Sequence, residues 1–428
     1  MRTASFSTVI NPELGCLVSG YDMVSRAVEI HDDLYATGVL VEDDRGEKVL
    51  IISFDLQGLD AWYVKEVRKA LGDLLGIKEA NVLLTCTHNH SGPQTITEWT
   101  YDHLLDRPYM EKLKNILMEE VKKLPERLEV SHGYTYTIQA DENLNRRYTS
   151  EENLASFLPH RAQFREIAGG YADKELAMLI FCPEASKHPS IVLANYAAHP
   201  LASHTPGKGY FRISADFPGP LRDLVMEETG AQCIFVSGAA GDLIPKEDEL
   251  GCEAACRMGK NLAEKVIRGM VDAPRNPKRL RMENVLVGGK ISHFKAPTRK
   301  KIERIRKEKE VDWEIQTIAI GDFSLTGVPG EVCTELGQEI KWHSPFRRSC
   351  IAFCSTGYVD YIVPGNFLVS GGYEAKSHRF KGRYTIDFVK CAVEGLYDLY
   401  EELHPAPEGE DLLPDAQDLG LVNILPGK

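Results

Sequence analysis

The feature that most constrains this chain is a recurring order: short, continuous apolar runs that stop at Gly, Pro or polar residues, with helical periodicity between them. The segment GVLVEDDRGEKVLIISFDL, 38–56, reads as two strands joined by a turn at Asp43–Gly46, where Asp-Asp-Arg-Gly supplies the turn chemistry. An amphipathic helix follows, because Val64, Val67, Leu71, Leu74 and Leu75 recur at helical spacing, and NVLLTCTH then returns as a buried strand. The same order predicts strands over 176–181, 190–197, 233–237, 316–325 and 350–355. Helices are expected over 218–228, 252–269, 331–342 and 385–402. Apolar runs with no inside–outside alternation belong to strands covered on both faces, so the expected class is α/β, with a large mixed sheet core flanked by helices.

Composition narrows the partners. Hydrophobic residues at 43% and charged ones at 26% give the balance of a globular protein. The 63 acidic residues against 50 basic ones leave a net charge of −13, a field that repels phosphate backbones, so no nucleic-acid partner is expected. The one basic run, TRKKIERIRKEKE, is interleaved with acids and reads as a solvated helix or loop. The opening MRTASFSTVINPELGCLVSGYD has no apolar stretch of secretory-leader length, and no segment offers the about 18 apolar residues of a membrane span. The expectation is a cytoplasmic protein, and the cysteines agree: Cys86, Cys182, Cys233, Cys350 and Cys354 sit in strand-like runs where reduced thiols pack as small hydrophobes. Cys252 and Cys256, one helical turn apart with no second pair nearby, read as a helix face.

Chemistry-bearing residues cluster where the apolar runs end. THNHSGP follows the 82–85 run, and its Ser-Gly-Pro breaks the strand, so one of His88 and His90 can ligate a metal while the other faces a neighbouring pocket wall. NYAAHP places His199 after a second buried strand, with Pro200 ending it. Strand carboxyl ends are where open α/β sheets gather their sites. SLTGVPGE brings Glu331 to a Pro-Gly turn, although an acid in the first turn of a helix is also favoured by the helix dipole. IAFCSTGYVDY brings Tyr358 and Tyr361 to the mouth of the next strand. Mixed nitrogen and oxygen donors suit zinc, and a tyrosine ligand would need its pKa lowered by the metal.

Taken in order, THNHSGP, NYAAHP, ISADFPG, GAAGDLIP, VPGE and TGYVDYIVP with GGYEA resemble the motifs of the neutral/alkaline, non-lysosomal ceramidases, which are zinc amidases. The match runs over about 30–375, most of the chain. The resemblance implies zinc (Zn2+) held by His88, His199, Glu331 and Tyr361 at strand carboxyl ends. It also implies that His90, Arg146 of NLNRRY and Tyr373 polarise a carbonyl or stabilise an oxyanion. Read without it, Arg146 is a surface arginine and Tyr373 a turn aromatic.

Two departures shape the functional expectation. Where the ceramidases carry a serine nucleophile, this chain reads Gly241-Asp242-Leu243-Ile244-Pro245-Lys246, and Ile244 has no nucleophilic atom. The carboxyl-terminal β-sandwich of those enzymes has no counterpart in the 25 or so residues after 403, so 1–403 is expected to be one catalytic domain and 404–428 a peripheral arm. The expected activity is hydrolysis of an amide, ester or lactone of a small polar substrate by zinc-activated water, with His90 as general base or electrophile and Asp242 orienting a ligand or the water. Glycoside cleavage or elimination is a rival chemistry. A zinc-containing protein that binds a small ligand without turning it over is the non-enzymatic alternative. Ser91, Ser203 and Ser237 flank the motifs but read as turn or backbone-bonding residues.

Overall fold

The computed structural model describes residues 1–20, 24–97, 102–147, 171–186, 188–203, 211–247, 250–300, 303 and 309–405. Most of the basic run and all of the arm beyond 405 fall outside them. In chain order the strands begin β1 (Arg2–Val9), β2 (Ala27–Ile30), β3 (Tyr35–Glu42), β4 (Lys48–Phe54), β5 (Val82–Cys86) and β6 (Glu129–Gln139). They continue β7 (Asn143–Asn145), β8 (Glu175–Pro183), β9 (Ile191–Tyr196), β10 (Phe211–Ile213), β11 (Gln232–Ser237) and β12 (Leu243–Pro245). The last are β13 (Val287–Pro297), β14 (Glu310–Ile320), β15 (Phe323–Gly327), β16 (Glu331–Val332), β17 (Arg348–Ala352) and β18 (Tyr361–Ile362). The longer helices are α1 (Ala61–Leu75), α2 (Arg107–Val121), α3 (Pro218–Thr229), α4 (Cys252–Arg275), α5 (Thr334–Trp342) and α6 (Tyr384–Leu403).

Eight strands form a mixed sheet in the order β11-β9-β8-β6-β1-β3-β4-β5. Its two ends, β11–β9 and β4–β5, are parallel and the pairs between them antiparallel. A second sheet, β13-β14-β15-β17, lies against it. Strand β8 shows why the apolar runs lack alternation. Ala177, Leu179 and Phe181 point into a core shared with Ile318, Phe323 and Leu325 of the second sheet. Leu176, Met178 and Ile180 point the other way, against Leu221 of α3 and Leu262 and Val266 of α4. Both faces are dry, so both sets of positions must be apolar. The outer face of the second sheet is closed by α6 through Phe388, Ala392 and Leu396, packed on Trp313 and Ile315. The result is helices, sheet, sheet and helices in four layers.

The strand expected over 350–355 is Arg348–Ala352 and the helix expected over 252–269 runs on to Arg275, and two further differences bear on the site. The 316–325 segment is not one strand but the hairpin of β14 and β15, turned at Gly321, whose φ of 57° needs no Cβ. The helix expected from 331 begins at Thr334, so Glu331 is a strand residue in β16 and not a first-turn helical acid. Helix-dipole stabilisation therefore does not account for it. All ten cysteines are free thiols, Cys252 and Cys256 among them.

A buried ion pair fastens β4 to α3: Arg222 Nη1 donates to Asp55 Oδ1 at 2.8 Å, its Nη2 to Oδ2, and Oδ2 also accepts Tyr35 N–H at 2.8 Å. Removing the cation alone strands a carboxylate that is fully buried. Arg222→Met is expected to cost about 3–5 kcal/mol in urea unfolding, part of it recovered by adding Asp55→Asn. A loss below about 1 kcal/mol, the range of solvent-exposed pairs, would show that the ion pair is not what holds α3 to the sheet.

Candidate metal centre

His88, two residues beyond β5, adopts a φ of 67°, a left-handed conformation rare outside glycine. Its N–H donates to Leu56 O at 3.0 Å and its ring Nδ1 to Gln57 O at 2.7 Å. A carbonyl only accepts, so Nδ1 carries the proton and Nε2 presents a lone pair. His199 is fixed the same way, by its N–H to Leu243 O at 3.1 Å and by Nδ1 to Ala240 O at 2.6 Å. His90 donates from Nδ1 to Gly20 O at 3.2 Å. Gly20 has a φ of 107°, and a Cβ there would sit 2.5 Å from that nitrogen, so only glycine lets the ring dock.

These restraints turn the three rings together. The candidate ligand atoms of His88, His90 and His199 lie within 4.8 Å of one another, and the Nε2 atoms of His88 and His90 are 3.0 Å apart. The sequence reading set the paired histidines on different walls. The left-handed turn at His88 instead brings both rings into one cluster, edge to face at 4.7 Å. Burial first, and then the neighbouring imidazoles, hold His90 well below the usual histidine range, and burial lowers His199 too, so both favour the neutral ring.

The carboxylate that meets these nitrogens is Glu331. Its Oε2 lies 3.0 Å from His199 Nε2 and 3.4 Å from His88 Nε2, while Oε1 accepts from the Tyr358 hydroxyl. Tyr358 also stacks on the His88 ring at 5.9 Å. Tyr361 stands opposite Glu331 in the two-residue parallel ladder of β16 and β18, and its hydroxyl accepts from Arg146 Nη2 at 3.2 Å.

Arg146 is 6% exposed and so is no surface arginine. It is aimed by Gly241 O at 2.9 Å and by Glu374, which accepts from its Nε at 2.6 Å. Tyr373, 41% exposed, meets Tyr361 edge-on at 5.4 Å and lies 5.5 Å beneath the Arg146 guanidinium. Asp242 is fully buried, and both of its oxygens are committed: Oδ1 to the N–H and hydroxyl of Thr334 at 2.8 Å, and Oδ2 to Asn145 at 2.7 Å. Its backbone carbonyl accepts the Arg146 N–H at 2.9 Å. The carboxylate thus fastens the start of α5 and the Arg146 segment rather than reaching the histidines.

Two residues of this arrangement escape sequence reasoning, Arg147 and Glu374, while Tyr358, expected at the strand mouth, stands against Glu331. Glu374, wholly buried, bridges Arg146 and Arg147, whose Nη1 donates to Oε2 at 2.8 Å; Arg147 in turn lies over Phe367 at 3.7 Å. The only signals are the doubled arginine in NLNRRY and the acid beside Tyr373.

Among solved structures, the neutral ceramidase from Pseudomonas aeruginosa matches at a TM-score of 0.75 and 15% identity, over 97% of this chain and 77% of that one. A ceramidase complexed with C2 matches at 0.75 and 14% identity over the same shares. No protein-family model and no curated protein matches the chain. The chain therefore has a ceramidase-like fold.

Burial pushes the Glu374 carboxyl up, but the two guanidiniums outweigh it and hold the carboxyl below its usual range. With the folded value below the unfolded one, about 4.3, the stabilisation is full above that value and is lost as pH falls through the folded one. Glu374→Gln should lose about 3–5 kcal/mol near neutrality and show a flatter acid limb in unfolding measured against pH. Parallel acid limbs in the two proteins would contradict this coupling.

Proposed function

We propose that this protein is a zinc-dependent hydrolase, with the metal held by His88, His199, Glu331 and Tyr361, acting on an amide, ester or lactone of a small polar substrate. One observation carries the reading: three imidazoles and a carboxylate oxygen meet at a buried point, with two Nε2 atoms 3.0 Å apart. Lone pairs facing one another repel unless a cation separates them, and two imidazoles, a carboxylate and a phenol are hard-to-borderline donors that fit zinc. When bound, such an ion supplies Lewis acidity, lowering the pKa of a water or polarising a carbonyl.

The chain's own groups supply the rest. His90 is 9% exposed where His88 and His199 are sealed, so it is the imidazole of the three best placed to exchange a proton with a substrate. Arg146 presents a fixed cation, and the Tyr373 hydroxyl a donor, to a carbonyl oxygen gaining negative charge. Asp242 acts by position, holding the Arg146 backbone and the first turn of α5. Ile244 is 2% exposed and paired with Leu144 in the β12–β7 ladder, at the position matching the ceramidases' serine. With no nucleophilic atom there, water is the attacking group, and long-chain ceramide is not the expected substrate. Ile244 also favours the second reading, a zinc protein that binds without turnover, whereas His90, Arg146 and Tyr373 are groups that zinc retention alone does not require.

Two measurements test the proposal. Elemental analysis of the purified chain should find one zinc, lost in His88→Ala and in His199→Ala; full occupancy in both variants would remove the ligand assignment. Screening amides, esters, lactones and glycosides with the zinc-loaded protein should find a hydrolysed class that chelators abolish and serine-directed phosphonates spare. Solvent oxygen should enter the product with no protein adduct. A substrate fragment attached to any serine in mass spectra, or ceramide turned over as fast as the best small substrate, would overturn the mechanism.

A further inference from the structure

The geometry points to a second ligand site, at the carboxyl end of α5, that takes a neutral sugar ring. A groove of about 290 Å³ opens there between α5, β8 and β17, close to the lower size limit of small-molecule sites. Two aromatic side chains stand at it with unusual exposure, Trp342 at 73% and Tyr171 at 47%. The floor between them is polar and already bonded. Lys341 Nζ lies 3.0 Å from Asp173 Oδ2 and 2.9 Å from Glu175 Oε1, and Gln338 Nε2 donates to Asp173 Oδ2 at 2.6 Å.

The occupant follows from charge and shape. Lys341 and Arg348 balance Asp173 and Glu175, while Arg347 is 3.5 Å from Asp322 outside the groove. A balanced field rewards neither an anion nor a cation. Hydroxyl groups, each both donor and acceptor, suit a floor that offers carboxylate oxygens, an amide, an ammonium and a guanidinium together. The apolar C–H face of a pyranose in turn matches an indole and a phenol. Because Asp173, Gln338 and Lys341 are already fixed to one another, little side-chain freedom is lost on binding.

The groove is separate from the histidines but joined to their scaffold. Along α5, its nearest lining residue, Gln338, lies about 6 Å beyond the Asp242-held Thr334, and Trp342 about 12 Å beyond it. Tyr171 O accepts from Asn145 Nδ2 at 3.0 Å, next to Arg146. The site is thus placed to seat a sugar away from any reacting bond.

Titrating the full chain with glucose, galactose and N-acetylglucosamine by ligand-observed NMR tests this, with and without chelator, so that the result is independent of the metal proposal. We expect binding that is insensitive to salt and weakened roughly tenfold or more by Trp342→Ala, a change at an exposed position that leaves the core intact. Arg348→Met should weaken it as well. No binding of any neutral sugar up to roughly 50 mM would overturn the site. So would equal binding by both variants, tighter binding of glucuronate or inorganic phosphate than of glucose, or a Trp342-dependent dimer in sedimentation.

Discussion

The Glu331 carboxylate is the point on which the centre depends. It joins His199 and His88 through one oxygen and Tyr358 through the other, so residues arriving from β9, β5 and the stretch after β17 are tied at a single buried group. Its backbone is as constrained as its side chain: the N–H donates to Asp360 O at 3.0 Å, and β16 is paired to β18. An ionised carboxylate with 2% exposure is costly unless it is compensated. Burial pushes the Glu331 carboxyl up, but the neighbouring His88 and His199 rings outweigh it and hold the carboxyl well below its usual range. The same packing gathers the His88, His90 and His199 rings into a group that could hold a metal ion.

The surroundings are built to keep that arrangement from relaxing. His88, Cys354 and Asp360 all have positive φ, at 67°, 45° and 60°, and each contributes to the chain around Glu331. Such conformations cost on the order of 1–3 kcal/mol each and persist only where neighbours over-determine them. Here the neighbours are visible. Cys354 O accepts Cys86 N–H, Asp360 O accepts Glu331 N–H, and Arg379 donates to Asp360 Oδ2 at 3.1 Å. Further out, Glu374 between Arg146 and Arg147 fixes a guanidinium that reaches Tyr361. Each shell removes a rotamer from the one inside it, which is how a site on loops acquires the precision of a site on strands.

What the sequence disclosed and what it concealed follow from range. Runs such as 176–181 were legible because burial on both faces writes itself into every position, and the histidine motifs because strand breaks are local. The hairpin at 316–325 was hidden: two apolar strands separated by Gly321 and Asp322 leave too small an interruption to separate from one long strand. The start of α5 was misplaced because Thr334 is capped by Asp242, 92 positions away, and no local window contains that bond. Arg146 looked like a surface residue because the carboxylate that draws it inward lies 228 positions on. His90 joined His88 only through a backbone angle that no side-chain alternation encodes.

The isoleucine at 244 has a structural meaning of its own. It sits in the antiparallel ladder of β12 and β7, between Asp242, which anchors α5, and, across the ladder, the segment that ends in Arg146. A serine at so buried a point would need a hydrogen-bond partner of its own, whereas an isoleucine contributes about 1.5–3 kcal/mol of apolar burial. That burial stiffens the ladder from which Arg146 projects. His199 is tied to the same ladder, because its N–H donates to Leu243 O, so the packing of β12 also bears on the histidine cluster. Ile244 therefore contributes to the ladder that fixes where the Arg146 guanidinium stands, and through it the hydroxyl of Tyr361.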